Sequence, residues 1–291
     1  MPIGFLKGNG ASINIQLDRH EEPYYPGDPI LVDFSLQTEK ELKIRQFRAG
    51  LLAWEYFTQE DSEGDETTRS TLNEYIEEHI LLDNETLPPG ISREFRQSWR
   101  IPEDAFPPFS SGLIGSGYSV EAVIDLGLKR NIREQVPVRV VIPPPGIEIH
   151  PGEYGEISHS ESVDMRLWLP RLEWTEGESI DGELIIIPKE KIGATGVRLQ
   201  INREQRVHAP RFKINNYDVV GKDQVYGKIK FEPGRSHKFP FSLSIPEAGA
   251  PSRKTEATTV TYKIEGIISR RLRRDFKVNT EIHVHTAPSP R

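Results

Sequence analysis

Hydrophobic and polar residues alternate with a period of two along much of this chain. Ile13, Ile15 and Leu17 alternate with Asn14 and Gln16, which predicts a strand with one buried face. Ile30, Val32, Phe34 and Leu36 repeat the pattern after Tyr25-Pro26-Gly27-Asp28. Proline at the second and glycine at the third place of that tetrapeptide predict a type II turn. Residues 44–57 are apolar and aromatic; a helix over 39–46 fits in part, but Gly50 and the aromatic run favour a strand. Residues 58–73 are polar, with Glu60, Asp61, Glu63, Asp65 and Glu66 crowded together, and such a charge run predicts a solvated, mobile loop. Over 74–82 the residues Leu72, Ile76, His79 and Ile80 fit a helical face, yet the repeat described next selects a strand.

Residues 87–126 are the stretch around which the rest is organised. A Pro88-Pro89-Gly90 turn leads into a strand ending at Trp99-Arg100-Ile101-Pro102, then a loop rich in Pro, Gly and Ser over 105–117. A second strand starts at Tyr118, with Tyr118, Val120, Ala122, Ile124 and Leu126 on one face, the period of a half-buried strand. The same stretch returns at a constant offset of 144. Gly90 matches Gly234, Ile101-Pro102 matches Ile245-Pro246, and Tyr118, Glu121 and Ile124 match Tyr262, Glu265 and Ile268. Arg130 and Arg274, Val138 and Ile282, and Val140 and Val284 extend the register. The chain is two copies of one β unit. Residues 135–142 end the first copy, and Pro143-Pro144-Pro145-Gly146 follow as a stiff linker. The second copy starts near 166–169. Thr175-Glu176-Gly177-Glu178 replaces the first turn, and Ile180, Leu184 and Ile186, then Val197, Leu199 and Ile201, mark strands. Residues 208–224 read as a polar loop, and Phe276, Val278, Thr280, Ile282 and Val284 as the last strand. The expected fold is all-β: two tandem antiparallel β-sandwiches over residues 1–145 and 146–291, each of about seven or eight strands.

Composition narrows the function. The 291 residues suit two domains. There is no cysteine, so disulfides, thiol nucleophiles and Cys-ligated zinc are excluded. A net charge of −7 speaks against bulk nucleic-acid binding. No apolar leader or membrane-length apolar run occurs, and the expectation is a cytoplasmic protein.

Candidate chemistry is sparse. His283-Val284-His285 places two imidazoles on one face of a strand, but a metal site needs a third ligand, and nothing in the sequence brings His150 or His159 near. Two surface histidines close to a frayed terminus, with no metal, are expected. Gly112, Gly115 and Gly117 do not open a helix and make no phosphate cradle. Trp168 and Trp174 suit core burial better than a sugar platform. Two basic clusters stand at equivalent hairpins: Lys129, Arg130 and Arg133, and Arg270, Arg271, Arg273 and Arg274. Arginine forks recognise carboxylate and phosphate, so these clusters are candidate sites for an acidic peptide or anionic lipid head groups, against the plainer reading of charged, soluble turns.

The order of these pieces resembles the arrestin fold. The turn Tyr25-Pro26-Gly27-Asp28, the aromatic strand over 51–57, the Pro-Gly turn at 87–90, the segment 99–111 and the strand over 117–126 carry the resemblance over nearly the whole chain. It implies a non-enzymatic adaptor or scaffold, without cofactor, that binds cytoplasmic parts of membrane proteins or other protein partners in trafficking or signalling, through sandwich edges and the loops between domains. In receptor-binding arrestins a lysine pair on the first strand senses phosphate; here only Lys7 stands near that place. Pro143 falls where the family's buried polar-core arginine would stand, and the matching loop at 247–259 offers Glu247 and Glu256 but no Asp. The resemblance thus implies a divergent adaptor that works without a phosphate trigger. The alternatives are a carbohydrate- or ligand-binding β-sandwich and a metal-dependent enzyme built on His283 and His285.

Overall fold

A computed structural model describes residues 10–19, 22–60, 67–111, 114–143, 154–208, 214–247 and 250–286. Contacts divide the chain into two compact units, Met1–Ile142 and Pro143–Arg291. Among the described residues the regular structure is all strand, and no helix is long and apolar enough to cross a membrane.

The first unit holds β1 (Ala11–Leu17), β2 (Pro29–Thr38), β3 (Leu42–Glu60), β4 (Thr67–Leu87), β5 (Ser92–Arg100), β6 (Phe109–Ser110), β7 (Ile114–Asp125) and β8 (Ile132–Val138). One sheet has the order β1-β2-β5; the other runs β4-β3-β7-β6, with β8 also on β7. All of these pairings are antiparallel. The core lies between the sheets. Ile13 and Ile15 of β1 and Ile30, Val32, Phe34 and Leu36 of β2 meet Phe47, Ala49 and Leu51 of β3 and Tyr118, Val120, Ala122 and Ile124 of β7. These are the positions that the period of two selects. The turn before β2 has the expected form: Gly27 takes φ +81° and the Asp28 amide donates to the Tyr25 carbonyl at 3.0 Å.

The second unit holds β9 (Ile157–His159), β10 (Val163–Trp168), β11 (Glu173–Thr175), β12 (Ser179–Pro188), β13 (Ile192–Ala194), β14 (Gly196–Val207), β15 (Ile214–Tyr226), β16 (Ile229–Phe231), β17 (His237–Ser244), β18 (Arg253–Lys254), β19 (Thr258–Ser269) and β20 (Phe276–His285). Its sheets have the orders β17-β12-β10-β9 and β11-β20-β19-β14-β15, with β13-β16 as a separate pair. The duplication is therefore topological as well as sequential: β5-β2-β1 matches β17-β12-β10, and β4-β3-β7-β8 matches β15-β14-β19-β20. The registers agree too, since Tyr118 faces Val138 and Tyr262 faces Ile282. Each tyrosine reaches the backbone twelve positions earlier. The Tyr262 hydroxyl donates to the Ala250 carbonyl at 2.7 Å, and the Tyr118 hydroxyl accepts from the Phe106 amide at 2.9 Å.

Four expectations need correction. The polar stretch 58–73 is strand on both sides of residues 61–66, which lie outside the described residues. Thr58 pairs Arg69 and Glu60 pairs Thr67, so the β3–β4 ladder runs on past the core. A backbone ladder needs no apolar side chains, and β-branched Thr58, Thr67, Thr68 and Thr71 favour extended chain. The second polar stretch, 208–224, also contains a strand. β15 pairs β14 from Val207↔Ile214 to Val197↔Tyr226, and as an edge strand it keeps polar and exposed residues without cost. The strand predicted from Tyr118 begins at Ile114 and is buried on both faces. Aromatic rings of β3 cover its outer face: Trp54 lies over Gly117 and Tyr56 over Gly115, with the two rings stacked at 6.1 Å. A Cβ on Gly117 would stand 2.6 Å from the Trp54 ring, so glycine here makes room for an aromatic cover. The last strand of the first unit is β8, ending at Val138; beyond it Val140 makes only an isolated bridge to Tyr24.

Candidate functional site

The two basic clusters lie on equivalent hairpins, β7–β8 and β19–β20. Each hairpin is tied at its neck by the same device. The Leu126 amide donates to Asn131 Oδ1 at 3.4 Å, and the Arg270 amide to Asp275 Oδ1 at 2.9 Å, positions again 144 apart. Beyond the neck each hairpin presents a leucine to solvent. Leu128 is 108% and Leu272 96% exposed, and they too are 144 apart. Leu272 holds φ +56°, a left-handed conformation that costs a leucine about 1 kcal/mol or more. Arg271, Arg273 and Arg274 flank this leucine in the turn. Those three arginines are exposed, and no side-chain hydrogen bond or ion pair engages them among the described residues. Lys129 and Arg130 are exposed beside Leu128, which borders a cleft of about 440 Å³ lined also by Leu42, Ile44, Asn84 and Glu85.

Two members of the predicted clusters serve the fold. Arg270 turns back on its own hairpin: its guanidinium donates to the Arg274 carbonyl and lies 3.8 Å over the Phe276 ring. Arg133 belongs to β8, with its Nε 3.2 Å from Glu121 Oε1. Glu121 is buried, at 3% exposure, on the outer face of β7, and also accepts a hydrogen bond from the Tyr75 hydroxyl. Burial first, then this bond, raise the Tyr75 phenol above its ordinary pKa. The second unit repeats the arrangement. Lys277 Nζ is 3.0 Å from Glu265 Oε1, and Gln200 Nε2 donates to Glu265 Oε2 at 2.9 Å. The Glu121–Glu265 match in the sequence was the signal for this duplicated ion pair; the cations Arg133 and Lys277, also 144 apart, complete it. Lys7, the remaining predicted partner-binding residue, lies outside the described residues.

The histidine pair is not at a frayed end. β20 is held between β19 and the short parallel strand β11, and the pairings Glu173↔His283 and Thr175↔His285 bring a carboxylate to the imidazoles. His285 Nε2 donates to Glu173 Oε2 at 2.6 Å, and the two rings are 4.6 Å apart. Loss of surrounding water lowers the His283 pKa most; Glu173 acts against that shift and His285 with it. His159 sits on β9, paired with Asp164, and His150 is outside the described residues. Trp174 is buried as expected, whereas Trp168 is partly exposed. Gly115 and Gly117 lie under the rings of Tyr56 and Trp54; Gly112 is outside the described residues.

Each unit also has an edge strand paired on one side only, β4 and β15. On β15, Tyr217, Val219 and Tyr226 are exposed.

A family model described as the C-terminal domain of arrestin (S-antigen) matches residues 9–145 and matches again over 159–289. One domain description thus fits each half of the chain, as the internal duplication requires. No curated protein matches the chain.

Proposed function

The chain belongs to the arrestin family, and from that premise we propose that it is a non-enzymatic adaptor. It binds cytoplasmic parts of membrane proteins, or other proteins near a membrane, with its hairpin tips against an anionic lipid surface. The observation that carries the lipid part is the duplicated tip, an exposed leucine among exposed basic residues at Leu128 and at Leu272. The chemistry is complementary to a bilayer surface. Each Lys or Arg near anionic lipid contributes about 1 kcal/mol, and a fully buried leucine side chain about 1.5–3 kcal/mol. The reading assigns 1–145 and 146–291 to the two arrestin-like domains. It gives the protein a cytoplasmic location with peripheral membrane contact.

Protein partners are taken at the edges β4 and β15, where an extended segment can add to the sheet through main-chain bonds. Binding does not wait on phosphate, because Pro143, in the place of the polar-core arginine, can neither pair with a carboxylate nor answer to a phosphate. The test is affinity isolation from a detergent-solubilised membrane fraction, with the intact chain and a Tyr217→Asp/Val219→Asp variant as baits. Integral membrane proteins recovered by the first and depleted with the second, unchanged by prior phosphatase treatment, are the expected result. Recovery that requires phosphate, or recovery of no membrane protein, would refute this reading.

A further inference from the structure

We propose that Glu173, His283 and His285 form a binding site for one zinc-type divalent ion in the second unit, a role separate from partner and membrane binding. The argument begins with strand geometry. On β20, Val284 points into the core and is fully buried, so His283 and His285 share the outer face. On β11, Trp174 is the buried residue, so Glu173 takes the outer face as well. The parallel pairing sets Glu173 opposite His283, and the three donor atoms all lie within 4.8 Å of one another.

A zinc ion with donors at about 2.0–2.2 Å in a tetrahedron holds them roughly 3.3–3.5 Å apart. Reaching that geometry takes side-chain rotation of about an ångström: the wider spacings close, while the His285 Nε2–Glu173 Oε2 pair, now hydrogen-bonded at 2.6 Å, opens and releases its proton to solvent as the ion binds. The fourth position falls to water. Two imidazoles and one carboxylate form a donor set that zinc accepts readily, whereas magnesium and calcium prefer oxygen alone.

The backbone beneath the site is fixed from both sides. The His283 amide donates to the Leu172 carbonyl at 2.9 Å, and the Glu176 amide to the His285 carbonyl at 2.9 Å. Between them Val284 exchanges two bonds with Ser252, its amide donating to Ser252 Oγ at 2.9 Å and its carbonyl accepting from the Ser252 amide at 2.7 Å. Such support sets the ligands before the ion arrives and lowers the ordering cost of binding. The ion would also clip β11 to β20, joining residues more than a hundred positions apart, and so stabilise the second unit by mass action.

The experiment uses the full chain purified without a histidine tag. Zinc chloride is titrated calorimetrically, and cobalt is substituted so that its visible absorption reports coordination geometry. One ion per chain, a tetrahedral cobalt spectrum and a zinc-dependent rise in melting temperature are expected. Glu173→Gln and His283→Ala should each weaken zinc binding about 10-fold or more and abolish the rise, while His159→Ala changes neither. His283 is exposed, so its removal leaves the fold intact, as a far-ultraviolet dichroism spectrum checks. Absence of stoichiometric binding at a tenfold excess of zinc overturns the proposal, and so does unchanged binding in both site variants.

Discussion

Replacing Arg133 by alanine tests whether the basic clusters have been divided correctly between fold and partner. Arg133 faces Glu121 at 3.2 Å, and the carboxylate is almost wholly buried. At the effective dielectric of about 20 that describes such sites, the gross Coulomb attraction is about 5 kcal/mol. Most of that is offset, because the guanidinium is largely exposed and is screened by water and salt. What remains is the cost of leaving a buried carboxylate with the Tyr75 hydroxyl as its strongest support, about 1–3 kcal/mol. Arg133→Ala should therefore lower the stability of the first unit by that amount, and Arg133→Lys by less. Lys277→Ala should do the same to the second unit. Arg271→Ala, which removes no side-chain hydrogen bond or ion pair among the described residues, should stay within about 0.5 kcal/mol of the parent. The assay is urea unfolding followed by tryptophan fluorescence, with Trp54 and Trp99 in the first unit and Trp168 and Trp174 in the second. If Arg133→Ala unfolds at the same urea concentration as Arg271→Ala, the buried pair is not a structural element, and Arg133 returns to the partner-binding set.

Three other outcomes are expected. Tyr262→Phe strands the buried Ala250 carbonyl and should cost about 1–3 kcal/mol in the same urea assay; a change under about 0.5 kcal/mol would contradict the latch. Gly117→Ala must push the Trp54 ring off the outer face of β7, lowering stability by about 1–3 kcal/mol and altering the fluorescence of the folded state; an unchanged spectrum and stability would show that the face is loosely covered. His79 sets both ring nitrogens against oxygens, Gln97 Oε1 and Glu77 Oε1, each at 2.7 Å, and the bond to Gln97 first, then Glu77, raise its pKa. Because the folded-state value is the higher one, its stabilisation is fully present below about pH 6.5 and fades as pH rises through the raised value. A plot of melting temperature against pH should thus converge with that of His79→Gln on the alkaline side, and divergence there would reverse the sign.

Much of this fold was legible because the duplication fixes positions twice. Gly90 and Gly234 both take positive φ, at +78° and +74°, and donate their amides to Thr38 and Pro188; one glycine alone would have been a loose turn signal. The turns at Gly27 and Gly177 and the two tyrosines were fixed in the same way. Side-chain polarity misled where the backbone alone decides, as at Thr58, Thr67 and the strand through Tyr217. Period two also hid the aromatic cover of β7, since Trp54 and Tyr56 reach a neighbouring strand and not their own. The leucines at the tips were visible at the constant offset, but an apolar residue in a strand-rich sequence is counted toward the core by habit. Glu173 could not be paired with His283 from sequence, because the parallel β11–β20 contact joins residues 110 positions apart with no motif between them.

The membrane-facing adaptor reading rests most directly on Leu272 and its neighbouring arginines. Co-sedimentation with vesicles of phosphatidylcholine alone, and of phosphatidylcholine with phosphatidylserine, measures that contact. The intact chain should bind the anionic vesicles and not the neutral ones. Leu272→Asp should reduce binding about 10-fold or more, since the leucine contributes about 1.5–3 kcal/mol when buried, and Leu128→Asp should reduce it in its own right. Binding that is equal for the two lipid compositions, or indifferent to both substitutions, would contradict the assignment of the hairpin tips to a membrane surface.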